Sequence, residues 1–282
     1  MSDNEKITIG GNSGNNNGGN NNNPPFTGAP MGDDEFKVPT EEIELPSRGA
    51  FYSNGKSTVK IKYLTAEEDN ILFSTDLIRS GKVLDVLLEN AVIDKELRPD
   101  DMVSGDRNLL LIEIRKTGFG NEYKPGSVTC GSCGKDYNPT IDLNKLKPRM
   151  LEVMPDSDGF YSLEMPVTKI PIRFRLLRGS DEKRLTKLIE SGQKKSNGPR
   201  ISRLITERYL LQIMEVNGNK DKTYISKFIN AMPTKDSLFF REYNRQVEPG
   251  IDLDYEFDCE HCGHHETKNI EINSKLFYPD VD

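Results

Sequence analysis

The sequence predicts an α+β protein made of two similar halves that close on one metal ion. Three observations carry this prediction. Two short segments are near copies of each other, V-T-Cys130-G-S-Cys133-G-K-D-Y and F-D-Cys259-E-H-Cys262-G-H-H-E, and together they hold all four cysteines of the chain. Each is preceded by the same order of predicted elements, a strand and then three helices. An Asn/Gly-rich stretch at the N-terminus stands apart from both. The expected organisation is a tail over residues 1–38, a first repeat over 39–150 and a second over 151–282.

The tail reads G-N-S-G-N-N-N-G-G-N-N-N-N-P-P in its middle. Such a composition cannot bury enough apolar surface to offset its conformational entropy, so disorder is expected. The first repeat opens with Val59-Lys60-Ile61-Lys62-Tyr63-Leu64, which alternates like a strand. Thr65 then caps a helix with Glu67, Glu68 and Asp69 in its first turn, and Ile71, Leu72, Leu77 and Ile78 supply packing positions. A second helix spans Val83 to Val92, with Leu84, Leu87, Leu88 and Ala91 on one face. Asp106, an expected N-cap, announces a third ahead of Leu109-Leu110-Leu111-Ile112. Pro125-Gly126 marks a loop before the cysteines.

The second repeat follows suit. Ile172-Arg173-Phe174-Arg175-Leu176 alternates, and Gly179-Ser180-Asp181-Glu182-Lys183 reads as a capped helix start, followed by Leu185, Leu188 and Ile189. A helix is expected over Ile201 to Val216, with Leu204, Ile205, Leu211 and Met214 as its apolar positions. Asp236 is the N-cap expected before Leu238-Phe239-Phe240, Arg115 and Arg245 fall at matching places, and Pro249-Gly250 predicts a loop. The halves would be related by a pseudo-two-fold axis with the metal on or near it.

The chemistry of the paired cysteines sets their spacing. Zn²⁺ takes four ligands tetrahedrally, and two residues between paired cysteines let a tight turn aim both sulfurs at one point. Gly134 and Gly263, each following the second cysteine, suit a backbone of positive φ. The prediction is one structural Zn²⁺ per chain, held by Cys130, Cys133, Cys259 and Cys262. The alternatives are two disulfides or four free thiols. His261, His264 and His265 all lie in the second knuckle and read as solvated or supporting residues, since four cysteines complete the shell.

Little else in the chain carries chemistry. Gly49-A-F-Y-S-N-Gly55-Lys56-Ser57 superficially resembles a phosphate-binding loop, but it has one residue too many between its glycines and precedes a strand instead of opening a helix. With every histidine and cysteine at the knuckles, no histidine acid–base pair or triad is available elsewhere, and the paired carboxylates Glu41-Glu42 and Asp100-Asp101 read as acidic surface. A zinc with four cysteine ligands has no open position for water, so no enzymatic activity is expected. The net charge of −7 and pI near 5.3 argue against nucleic-acid binding, in which a basic face supplies most of the affinity. The local basic run Lys194-Lys195 to Arg200, with Arg203 and Arg208, reads as an exposed helix face or loop. No apolar run reaches the ~20 residues that span a bilayer, and the N-terminus lacks a signal-peptide core. Two CxxC pairs without a secretion signal fit a reducing cytoplasm.

Leu45-Pro46-Ser47-Arg48-Gly49-Ala50-Phe51-Tyr52 is followed by Leu64-Thr65-Ala66-Glu67-Glu68-Asp69-Asn70-Ile71-Leu72 and by Ile78-Arg79-Ser80-Gly81-Lys82-Val83-Leu84. This succession resembles the opening of the baseplate hub proteins of T-even-type contractile-tailed bacteriophages. The resemblance covers roughly residues 43 to 95 and extends more loosely to the first knuckle and beyond. It implies a non-enzymatic hub or hub-assembly protein whose partners are other phage baseplate and tail proteins. It would work in the host cytoplasm during assembly and in the tail baseplate of the virion. The aromatic pairs Phe51-Tyr52, Phe239-Phe240 and Phe277-Tyr278 could anchor such partners, although core packing is their more ordinary use. The competing reading is a zinc-ribbon nucleic-acid-binding or transcription-regulating protein. The charge and the acids beside the knuckles, Asp136, Asp258, Glu260 and Glu266, weigh against it.

Overall fold

Strand β1 (Thr40–Glu44) pairs antiparallel with β2 (Thr58–Lys62), and Ile43 opposite Val59 starts the core. The computed structural model describes residues 37–193 and 203–278. The expected tail and the basic run 194–200 therefore lie outside the described residues, apart from the tail's last two positions. After β2 come α1 (Ala66–Leu72), α2 (Thr75–Arg79), α3 (Val83–Ala91) and α4 (Ser104–Phe119). Short strand pairs follow: β3 (Glu122–Tyr123) with β6 (Ile141–Asp142), and β4 (Val128–Thr129) with β5 (Asp136–Tyr137).

The remainder begins with β7 (Pro148–Arg149), β8 (Tyr161–Glu164) and β9 (Pro171–Phe174), then α5 (Gly179–Gln193) and α6 (Leu204–Gln212). It continues with β10 (Ile213–Val216), α7 (Lys222–Ala231), α8 (Thr234–Val247), β11 (Gly250–Ile251), β12 (Asp254–Asp258) and β13 (His265–Asn269). Strands β10, β9 and β8 form a three-stranded antiparallel sheet with β9 in the centre. The fold is thus α+β, helices with small antiparallel sheets.

Local chemistry explains the elements that match expectation. Thr65 caps α1 in a reciprocal box: its hydroxyl accepts from the backbone while the Glu68 carboxylate takes the Thr65 N–H at 2.8 Å. Lys62 meets the same buried carboxylate at 2.7 Å, and with the Thr65 bonds it outweighs burial and holds Glu68 below the usual carboxylate range. Helix α4 is buried on nearly all sides, from Ser104 through Arg115, so it lacks the polar face of a surface helix. It lies across the boundary between the expected repeats: Ser104 N–H donates to Leu177 O at 2.9 Å, and Gly179 N–H to Met102 O at 3.0 Å. One hydrophobic core runs through both halves, from Leu45 and Val59 to Phe174, Phe240 and Phe277.

Several expectations need correction. Asp106 and Asp236 are not N-caps. The caps are Val103 and Pro233, neither with a side-chain bond, and each Asp sits in the first helical turn, fully buried. The helix expected over Ile201–Val216 ends at Gln212, and Ile213–Val216 is a strand that pairs with β9. Ile213 and Val216 are its buried positions, whereas Met214 and Ile205 are exposed. Helix α7 went unread in the sequence, although Asp221 caps it by accepting from Tyr224 N–H at 2.8 Å. Pro249-Gly250 is not a free loop, since Gly250 opens β11 against Arg149. Arg245 is exposed whereas Arg115 is buried. The strand opening each expected repeat is one arm of an antiparallel pairing, β1–β2 and β8–β9.

Candidate metal centre

The two CxxC segments fold alike. In the first, Cys130 N–H donates to Lys135 O at 2.9 Å and Gly134 N–H to Cys130 O at 3.1 Å. In the second, Cys259 N–H donates to His264 O at 3.0 Å and Gly263 N–H to Cys259 O at 2.8 Å. Gly134 and Gly263 share a φ of 68°, a conformation that a side chain would strain. Each turn joins a hairpin, β4–β5 or the longer β12–β13.

The hairpins are clamped face to face. Lys268 Nζ donates to Thr129 O at 3.0 Å and holds Glu266 at 2.8 Å, while Tyr137 OH reaches the same carboxylate at 3.5 Å. His261 Nε2 lies 3.0 Å from the Asp136 carbonyl, and His265 pairs with Asp258. These two histidines thus contact backbone and carboxylate oxygens. Tyr255 OH accepts from Asp142 N–H at 3.2 Å and ties the stems together.

This clamp brings Cys130, Cys133, Cys259 and Cys262 together, with all four sulfurs within 4.8 Å of one another. The closest contacts run between knuckles: Cys130 Sγ to Cys262 Sγ and Cys133 Sγ to Cys259 Sγ, both 3.8 Å. A disulfide would require about 2.05 Å. Four sulfurs about 2.3 Å from a tetrahedral ion stand about 3.8 Å apart. The four residues could therefore hold a metal ion. Cys130 and Cys259 are buried at the floor, and Cys133 and Cys262 face outward.

The thiols differ in acidity. Backbone N–H groups of Cys133 and Ser132 hold Cys130 down to about 6. Cys262 also receives a lowering backbone bond, from His264, but burial and the neighbouring sulfurs of Cys133, Cys259 and Cys130 outweigh it and push the thiol up to about 12. Cys130 thus gives up its proton easily and Cys262 resists losing its own. A bound cation supplies the charge that lets all four ionise.

Other buried polar groups escaped the sequence reading. The Asp106 carboxylate accepts from Ser47 N–H at 2.9 Å and Tyr52 OH at 2.5 Å. Asp236 does the same for a different segment, accepting from Val167 N–H, Thr168 N–H and Thr168 Oγ. Leu45-Pro46 precedes the first clamped turn and Met165-Pro166 the second, and Leu45 and Met165 are both fully buried. Arg115 extends its guanidinium to the carbonyls of Leu276, Gly120 and Glu122 at 2.6–2.8 Å. The Leu-Pro and Met-Pro dipeptides were the available signal for the clamps. Nothing in the sequence pointed to the carbonyl partners of Arg115, which are distant or backbone groups.

Comparison with known proteins places the chain. No curated protein and no solved structure matches it significantly. The family model described as T4 bacteriophage base plate protein matches residues 38–278, nearly everything after the Asn/Gly-rich segment. The chain belongs to the T4 bacteriophage base plate protein family.

Proposed function

We propose that this protein is a hub or hub-assembly component of a phage tail baseplate, non-enzymatic, and held together by one structural Zn²⁺. The family match over residues 38–278 carries the baseplate reading. The hub assignment rests on the Leu45–Tyr52 opening and the helices that follow it. Its partners are then other baseplate and tail proteins, met in the host cytoplasm during assembly and retained, for a hub subunit, in the tail of the virion.

Zinc is the ion that best suits this donor set. An all-thiolate site selects soft or borderline metals, and a tetrahedral S₄ arrangement is typical of structural zinc. Cys130, Cys133, Cys259 and Cys262 would hold it, and with four protein ligands no position remains for a reacting water. Each knuckle supplies only two ligands, so the ion staples one half to the other and its binding energy becomes folding energy.

We read the halves, residues 39–150 and 151–282 after a tail of 1–38, as repeats of one ancestral unit. The support is the shared order of hairpin, clamped turn, helices and knuckle. The carboxylate clamps of Asp106 and Asp236 occupy the third position of equivalent helices. Because the repeats share one core, they are repeats of sequence and not separate folding bodies.

Affinity purification of the tagged chain from a phage-infected lysate, after nuclease treatment, tests the assignment. Recovery of tail or baseplate proteins is expected, together with one zinc per chain by elemental analysis. Association that disappears with nuclease or falls steeply with salt would instead favour the zinc-ribbon alternative.

A further inference from the structure

Helix α2 is an ordered element that buries none of its own residues. It spans Thr75–Arg79, capped by Ser74, whose hydroxyl accepts from Leu77 N–H at 3.4 Å. An isolated helix of this length is unstable in water, so the flanking chain must hold it in place. Its surroundings present apolar surface outward: Phe73, just ahead of it, is 60% exposed, and Ile78 is 39% exposed. Asp76, three residues after Phe73, is exposed and has no ion-pair partner among the described residues. The element thus offers one aromatic ring, seated 5.9 Å from that of Tyr278 but largely exposed, beside that carboxylate.

A groove with a cation at its rim lies between α6 and α8. Ile205, Tyr209 and Gln212 line it from α6, and Phe240, Arg241 and Asn244 from α8. Tyr209 meets Phe240 edge-on at 5.0 Å, and Gln212 Nε2 donates to Asn244 Oδ1 at 2.7 Å. These contacts fix the floor and leave a cavity of ≈ 180 Å³. A cavity of about 150 Å³ is enough to hold a benzene ring. Ile205, 45% exposed, forms an apolar wall. Arg208 at the rim is engaged by Glu182 at 3.6 Å. Arg241 is exposed and has no ionic partner among the described residues.

We propose that the α2 knob of one copy docks in the α6–α8 groove of a second copy, with the Phe73 ring in the cavity and the Asp76 carboxylate against Arg241. Charge complementarity chooses the occupant: the free anion beside an exposed ring and the free cation beside an empty apolar slot belong to the same chain. Knob and groove are different patches, so the contact is heterologous. Each added copy leaves one knob and one groove open, which leads to a ring or an extending chain. One ring and one ion pair make a small interface, so association depends on concentration. This self-association does not rest on the hub assignment.

Sedimentation velocity of the full-length, metal-loaded protein across a wide concentration series tests the contact. The wild type is expected to form oligomers that grow with concentration. Asp76→Arg and Arg241→Asp should each weaken association about tenfold or more. Mixing these two variants should restore growth as an alternating chain, because Asp76 of one meets Arg241 of the other while the two reversed charges meet at the next contact. Combining both reversals in one chain should restore growth. Asp76→Asn and Ile205→Glu provide milder probes, and unchanged circular dichroism and zinc content would show that each variant is folded. A wild type that stays monomeric at the highest concentration would overturn the proposal. So would two folded single variants that fail to pair when mixed.

Discussion

The Tyr52 hydroxyl donates to the Asp106 carboxylate at 2.5 Å in the interior, while itself accepting the Val103 N–H at 3.2 Å. Burial dominates the carboxyl group and raises Asp106 above its usual range despite the bonds from Ser47 and Tyr52. The contribution of Asp106 to stability should therefore be greatest below the unfolded value of about 3.9 and decline as pH rises through the folded one. Asp106→Asn should remove that decline, visible as a flatter stability–pH curve in urea titrations. Tyr52→Phe leaves two buried partners short of a bond and should cost about 1–3 kcal/mol. Asp236→Ala should cost a similar amount, about 2 kcal/mol, because the amides of Val167 and Thr168 lose their acceptor. Indifference to all three changes would deny that the clamps hold the turns.

Replacing any one of the four cysteines with serine should have the same consequence, because each knuckle contributes two sulfurs to one cluster. If the cluster holds the proposed zinc, Cys130→Ser and Cys262→Ser should both reduce it to a small fraction of one per chain and lower the melting temperature markedly. A strong chelator should destabilise the wild type in the same way and leave the serine variants nearly unchanged. Elemental analysis beside thermal melts would check this. A wild type that melts identically with and without chelator would remove the staple from the account.

Gly105 and Arg115 mark two places where α4 accepts no substitute. A Cβ on Gly105 would lie 1.7 Å from the Pro249 carbonyl oxygen, a backbone atom that cannot step aside. Gly105→Ala should therefore cost more than about 2 kcal/mol by forcing α4 from β11. Arg115→Met should cost about 2–3 kcal/mol, since three carbonyls lose a charged donor. Arg245→Ala, at the matching but exposed position, should change stability by no more than about 0.5 kcal/mol. Equilibrium denaturation of the three variants would separate these outcomes.

The sequence by itself determined what local chemistry can fix. Paired cysteines followed by glycine specified two identical turns, because the left-handed φ of Gly134 and Gly263 is a property of the residue. Thr65 and Glu68 specified a helix start, since the capping box is complete within four residues. The Leu45–Tyr52 opening carried the family resemblance with no structure in hand. The helix end at Gln212 was not legible, because Ile213–Val216 becomes a strand only where β9 offers an edge to pair with. Asp106 and Asp236 look like N-caps in the sequence, and only packing shows that their acceptors are spent on Ser47, Val167 and Thr168, segments 59 to 69 residues away in the chain. The same holds for the metal centre. Each CxxC turn is local, but its closure into one cluster depends on clamps such as Lys268 to Thr129, which span 139 residues and exist only once the shared core has brought the hairpins face to face.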